Sequence, residues 1–399
     1  MRVLMVSDVY FPRINGVSTS IETFRQGLAH EGVAVDLVVP RYGDEPEMPG
    51  ITRVAGRPVP GDPEDRLLAW STMCRAVDEA AASCDLIHVQ TPFVAHYAGL
   101  RAARKHRLPV LATYHTLFEE YVEHYAPSPL RRFAGGGLRA VARFLSRQQC
   151  NQLDALVVPS TLMRARLESY GVRVPMSVLP TGIPLAQFAR GDGQGFRRRY
   201  GIAFDRPVAL YVGRVAHEKN LDFLLQAMLR VLQHCPQALL LIAGEGPALP
   251  SLRARVGELG LKRHVSFVGY LDRQQELPDC YAAANVFAFT SRTETQGLVL
   301  LEAMASGLPV VALAEMGTVD ILAEGRGTLA PPPHPTAFGD ALGHCLGHPE
   351  AWSHLGREAA EAARGWSDRA MAGRLAELYR GLRPGRGAIQ EGFRLSSPG

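Results

Sequence analysis

The sequence predicts an α/β fold built as two successive doubly wound domains. Three observations carry this expectation. The stretch Asn285–Val311 reads as strand, polar loop, helix, tight stop and strand. A short buried strand, Arg2–Ser7, opens the chain and runs through a loop into an amphipathic helix. The same alternation restarts at Val208–Val212, after a stretch with Gly and Pro but no long period. Alternating strands and helices of this kind build parallel sheets covered on both faces.

The length of 399 residues sets a prior of two or three domains. Apolar content of 47% and charged content of 21% are those of an ordinary soluble globular protein. The net charge of +4 is mild, so any basic function must come from a local patch. The start, MRVLMVSD, has too short an apolar run before Asp8 for a signal peptide, and no run reaches the ~18 residues of a membrane span. Six scattered cysteines without a CxxC read as reduced thiols, not as a zinc site. The expectation is a cytoplasmic protein.

In the amino-terminal half, Arg2–Ser7 leads into the loop Asp8–Gly16 and a helix from about Val17 to His30, with Ile21, Phe24 and Leu28 on one face. No GxGxxG follows the first strand, which disfavours a dinucleotide fold. Asn15-Gly16 suits either a close backbone approach to a phosphate or a plain tight turn. Val33–Val39 is the second strand, Arg41–Pro63 reads as a Pro- and Gly-rich loop, and Leu67–Ala82 as a helix. Asp85–Gln90 and Pro109–Tyr114 are strands flanking a helix up to about Lys105. His115 follows the second of them, where a strand's carboxyl end enters a loop; His88 is similarly placed.

From His124 to Leu153 there is no acidic residue, and Arg131, Arg132, Arg139, Arg143 and Arg147 fall in this stretch. The last three form one helical stripe beside Leu138, Val141, Phe144 and Leu145, a pattern for contact with anionic membrane or for a solvated Arg face. Nucleic acid is not expected, because no aromatic stacking platform accompanies the charge. Asp154–Pro159, Thr161–Tyr170 and Ser177–Leu179 read strand, helix, strand, and a linker falls near Gly182–Gly195.

In the carboxyl-terminal half, Gly213-Arg214 follows strand Val208–Val212, and Lys219 precedes a helix over Leu221–Gln233. Two cations at a helix start oppose its dipole unless an anion lies between them. Ala238–Ala243 is a strand whose Gly244-Glu245-Gly246 turn permits approach to a flat base, and Val265–Val268 ends at Gly269. In Asn285–Val311 the N–H groups of Gly297, Leu298 and Val299 open a helix and are free to meet an anion. Glu294 precedes that helix and Glu302 lies about a turn inside it. A carboxylate pair there suits a diphosphate flanked by two hydroxyl-bearing rings. The alternative is a loop charge and a solvated helix face. Helices over Pro335–Leu346, Ala351–Arg364 and Ser367–Leu382 precede a disordered-looking tail.

Taken in order, Asn15-Gly16, His115, Gly213-Arg214 with Lys219, and Glu294 eight positions before Glu302 resemble the retaining glycosyltransferases of family 4 with the GT-B fold. The resemblance implies two Rossmann-like domains facing each other across a cleft, at 1–185 and 195–366, with helix 367–383 crossing back to the first domain and a tail at 384–399. It places Arg214 and Lys219 on the donor diphosphate, Glu302 on the ribose, Glu294 and His115 near the transferred sugar, and Gly16 facing the phosphate. Gly213, Gly244, Gly269, Gly297, Leu298 and Val299 complete the donor-binding set. The absence of Asp-x-Asp implies no metal, and no cofactor is expected, since the nucleotide-sugar is a substrate.

YHTLFEEY at Tyr114–Tyr121 and TETQGLV at Thr293–Val299 look like the diacylglycerol glucosyltransferase group, with mannosyltransferases and sulfoquinovosyltransferases carrying similar strings. The implied reaction moves a hexose from UDP-glucose, with GDP-mannose second, to a membrane lipid such as diacylglycerol. The implied place is the inner face of the cytoplasmic membrane, in peripheral contact. The alternatives are a mannosyltransferase with a soluble or polysaccharide acceptor and a UDP-sugar epimerase of the same architecture.

Overall fold

The computed structural model describes residues 1–59, 62–115 and 140–382. The chain divides into two compact units, Met1–Gly182 with the chain from Asp368, and Ile183–Ser367.

The first unit holds an eight-stranded sheet in the order β4-β3-β2-β1-β5-β6-β7-β8. Its strands are β1 (Arg2–Val6), β2 (Ala34–Arg41), β3 (Ile51–Val59), β4 (Asp62–Leu68), β5 (Leu86–Val89), β6 (Val110–Thr113), β7 (Ala155–Val158) and β8 (Met176–Val178). All neighbours pair parallel except β3 and β4. β1 is flanked by β2 and β5, so the strand order reverses there, which is where open α/β sheets take ligands. Helix Gly16–His30 buries Ile21, Phe24 and Leu28, as its period requires, and Asn15 caps it by accepting from Ser18 N.

Helix Asp368–Gly381 buries Met371, Ala372, Leu375, Ala376 and Tyr379 in the core of this unit. A Cβ on Gly27 would come within 2.6 Å of Ala372 Cβ, so the two helices touch where one has no side chain. Tyr379 also bonds His88 Nδ1 at 2.6 Å, and His88 Nε2 meets Thr113 Oγ1 at 2.7 Å. His88 is therefore a packing histidine. Burial, and next the nearby His115, bring its pKa down to about 3.

The loop expected over Arg41–Pro63 is corrected. β3 and β4 form the edge of the sheet there, and helix Trp70–Ala81 starts later than expected. Only Val54 of β3 is buried, so this edge carries no apolar run and its Gly and Pro imitate a loop.

The second unit holds six parallel strands in the order β11-β10-β9-β12-β13-β14. They are β9 (Val208–Val212), β10 (Leu239–Ala243), β11 (Val265–Gly269), β12 (Val286–Phe289), β13 (Val310–Ala312) and β14 (Thr328–Leu329). The order reverses at β9, between β10 and β12. The expected linker is folded: helices Leu185–Phe188 and Gly193–Arg199 belong to this unit. Within the second of them Arg197 is buried, and its guanidinium donates to the carbonyls of Ala203, Phe204, Arg206 and Ala283 and to Asn285 Oδ1. The six cysteines are free and buried.

Candidate donor site at the switch point of the second sheet

The carboxyl ends of β9 and β12 lie side by side, and each delivers charged residues. The β9 loop carries Arg214 and Lys219; the β12 loop carries Glu294 and Gly297. Lys219 and Glu294 form an ion pair across this crevice, with side chains only 19% and 21% exposed. Sequence reading put these two on different parts of one ligand, and the structure joins them directly. Arg214 is exposed, and no ion pair engages it among the described residues.

Lys219 does not sit at the helix start. It ends a short 3₁₀ turn, His217–Lys219, and Asn220 in the left-handed region (φ 58°, ψ 37°) separates it from helix Leu221–His234. Its charge is balanced by Glu294, which removes the dipole conflict expected for a lone cation there.

Glycines let the strand ends close up. Gly213 donates to Ala243 O at 3.0 Å and Gly244 to Gly269 O at 2.7 Å, so the ladder continues past the ends of β9 and β10. Gly244 has φ 138°, and a Cβ there would lie 2.0 Å from Gly213 O. No other residue fits that position. These glycines pave the strand ends with backbone groups.

Gly297, at φ 84°, precedes helix Leu298–Ala305 without any side-chain cap. The first N–H groups of that helix are the donors that sequence reading marked at Gly297, Leu298 and Val299. Leu298 and Val299 are half-buried. Gly317 N donates to Glu294 O at 2.8 Å, pinning the β12 loop against the one after β13.

Glu302 is not a solvated helix face: it is fully buried. Its Oε1 is paired with Arg273, and its Oε2 accepts from the Tyr281 hydroxyl at 2.9 Å. A buried carboxylate is costly unless paired and hydrogen-bonded, and here it is both. Arg273 stacks over Phe188, 5.8 Å from its centroid. Desolvation works against the Arg273 charge, but Glu302 outweighs it and holds the guanidinium pKa up. A carboxylate offers about four acceptor sites and these two partners use two of them, but solvent does not reach the others. Arg273 and Tyr281 escaped sequence reading; the available signal was a cation four residues past Gly269, at a strand end.

The first unit brings its own residues to its own switch point. Asp8 follows β1 and Thr91 follows β5; Thr91 Oγ1 donates to Asp8 Oδ2 at 2.7 Å and accepts from Asp8 N at 2.7 Å. Asp8 also accepts from Ala95 N, capping helix Val94–His106 from outside. Burial, against these hydrogen bonds, raises its pKa to about 6. His115 follows β6, and its Nε2 meets Gln90 Oε1 at 2.9 Å. That oxygen only accepts, so Nε2 carries the proton and Nδ1 presents a lone pair. Burial lowers the His115 pKa to about 4, which keeps the ring neutral. A Cβ on Gly16 would meet nothing within 4 Å, so the space before that helix is open.

Arg131, Arg132 and Arg139 lie outside the described residues. Arg143 and Arg147 are exposed on a helix over residues 140–150, over the rings of Tyr170 and Phe144 at 5.3 and 5.5 Å. Val141, Phe144 and Leu145 are 58%, 51% and 37% exposed on the same helix. No described helix is long and apolar enough to cross a membrane.

Two doubly wound units, with a charged edge at the switch point of the second, define the GT-B class of transferases. The chain belongs to glycosyltransferase family 4. The model of Glycosyltransferase Family 4 matches residues 14–187, and that of Glycosyl transferases group 1 matches residues 194–362. The chain is 34% identical over 324 residues to the alpha-monoglucosyldiacylglycerol synthase of Streptococcus pneumoniae, covering 78% of this chain and 71% of that one. It is 33% identical over 266 residues to the GDP-mannose-dependent alpha-(1-6)-phosphatidylinositol monomannoside mannosyltransferase of Mycolicibacterium smegmatis, covering 64% of this chain and 69% of that one. Among solved structures, sucrose-phosphate synthase from Thermosynechococcus elongatus superposes with a TM-score of 0.77 at 24% identity, over 96% of this chain and 98% of that chain, a likeness of fold.

Proposed function

We propose that this glycosyltransferase moves a glucosyl group from UDP-glucose to a membrane lipid of the diacylglycerol type, with retention of configuration and without a metal. The observation that carries the reading is the switch-point crevice of the second unit. A cation, a carboxylate and the open start of a helix share one sheet edge there, in a chain 34% identical to a glucosyldiacylglycerol synthase.

The chemistry follows from the charges. Breaking the anomeric bond builds negative charge on the leaving diphosphate and positive charge on the sugar. Arg214, Lys219 and the N–H groups of Leu298 and Val299 stabilise the first. Glu294 accepts from sugar hydroxyls once the diphosphate engages Lys219. Glu302, fully buried and paired in this structure, accepts from the ribose once Arg273 yields one carboxylate oxygen, while Tyr281 keeps the other. In the first unit, neutral His115 presents an acceptor at Nδ1, and the space at Gly16 is open. The exposed Val141, Phe144 and Leu145 with Arg143 and Arg147 fit peripheral contact with an anionic leaflet.

The test is an assay of transfer and donor hydrolysis across UDP- and GDP-hexoses, with lipid extract as acceptor, in EDTA and in Mg²⁺. Glucolipid formed from UDP-glucose in EDTA supports the reading. A mannolipid formed from GDP-mannose favours the second donor, as the mannosyltransferase relative does. Activity lost in EDTA and restored by Mg²⁺ removes the metal-independent part, and an epimer formed from the UDP-sugar alone removes the transferase reading.

A further inference from the structure

The residues that hold Lys219 in place are as informative as Lys219 itself. Asn220 is one of few non-glycine residues with positive φ, a conformation that Asn tolerates better than most side chains. An Asn ahead of a helix ordinarily caps it, but this one makes no cap bond. Its Nδ2 instead donates to Thr290 O at 3.2 Å. Thr290 is fully buried at the end of β12, and its hydroxyl reaches back to Lys219 O at 3.3 Å and Asn220 O at 3.2 Å. One strand end and one turn are thus strapped together in both directions.

The strap has a direct consequence for the charges. Thr290 lies at the root of the loop that carries Glu294, and Asn220 lies next to Lys219. Joining Thr290 to Asn220 fixes the two roots, and the Lys219–Glu294 ion pair closes above them.

We propose that Thr290 and Asn220 are positioning residues for the reaction, acting through Lys219 and resting on the donor-site reading above. Neither touches donor in this role. Thr290 supplies the hydroxyl that holds the Lys219 main chain, and Asn220 supplies both the left-handed turn and the amide that holds Thr290. An Asn→Gly change keeps the turn and removes the amide; a Thr→Val change keeps the shape and removes the hydroxyl.

The test has two readouts. The first needs no activity: acylation of lysine amines followed by mass spectrometry, with Lys105 and Lys262 as internal references in the same chain. Thr290→Val and Asn220→Gly should raise the labelling of Lys219 several-fold relative to the references, while Thr290→Ser stays at the wild-type ratio. The second is steady-state kinetics. A misplaced group costs up to about a hundredfold in rate, so kcat in Thr290→Val should fall about ten- to a hundredfold with a smaller change in donor KM. The same change made in Lys219→Ala should add almost nothing, as two residues acting through one group require. Thermal melts confirm folding, and Asn220→Gly stands in should Thr290→Val not fold. Unchanged Lys219 labelling in the folded variants overturns the strap, as does a kcat loss of equal size in both backgrounds. A wild-type protein with no transferase activity overturns the donor-site reading and leaves the labelling result to judge the strap.

Discussion

Arg273 and Glu302 form an ion pair in which the carboxylate is fully buried and the guanidinium one-third exposed. The asymmetry sets the cost of breaking the pair. Arg273→Ala leaves a buried charge without its counter-ion and should destabilise by about 3–5 kcal/mol. Glu302→Gln leaves the cation where water can reach it and should cost clearly less. Urea denaturation of the two variants measures the difference; a larger loss in Glu302→Gln contradicts this account.

The division of roles between the two carboxylates is open to calorimetry. Glu302→Ala should weaken binding of free nucleoside diphosphate, whereas Glu294→Ala should leave that binding nearly intact and lower transfer. Equal losses of nucleotide affinity in both would contradict the assignment.

Removing either cation should cut turnover by about 10²–10³-fold, the scale for losing one group that stabilises developing charge. Arg214→Ala should melt as the wild type does, because the side chain is exposed and unpaired among the described residues. Lys219→Ala should melt slightly lower, because Glu294 loses its partner while only 21% exposed. Near-normal turnover of both variants would remove them from the mechanism.

Stability should fall as the solution is acidified below neutrality. His88 has a folded pKa of about 3 and His115 of about 4, both below the ordinary 6.5. The unfolded chain therefore takes up protons that the folded chain refuses. Their contribution is complete above pH 6.5 and is lost progressively toward the folded values, at up to about 1.4 kcal/mol per pH unit for each histidine. The urea midpoint followed from pH 7 to pH 5 should drop, and His88→Gln should flatten the slope.

Membrane contact should depend on helix 140–150. Each basic residue near an anionic leaflet contributes about 1 kcal/mol, so Arg143→Ser with Arg147→Ser should weaken co-sedimentation with anionic vesicles by about 2 kcal/mol. Phe144→Ser should remove a part that added salt does not. Equal vesicle binding by wild type and a variant combining Arg143→Ser, Arg147→Ser and Phe144→Ser would direct the search to a soluble acceptor.

By itself the sequence determined the alternation of strands and helices, the switch-point loops and the polar residues they carry. Those features are local: Val208–Val212 and Val286–Phe289 are apolar runs, and Gly213, Gly244 and Gly297 mark turns that side chains do not permit. The edge pair β3–β4 was illegible because a half-solvated edge strand needs no apolar pattern. Only the tertiary structure decided who partners whom. Lys219 meets Glu294 across 75 residues, and Arg273 meets Glu302 across 29. A charge in a sequence carries no sign of whether it will face water, ligand or a counter-ion. The strand order brings β9 beside β12 and closes the first pair, while the second joins the loop after β11 to the helix after β12; burial penalises any charge left without a partner.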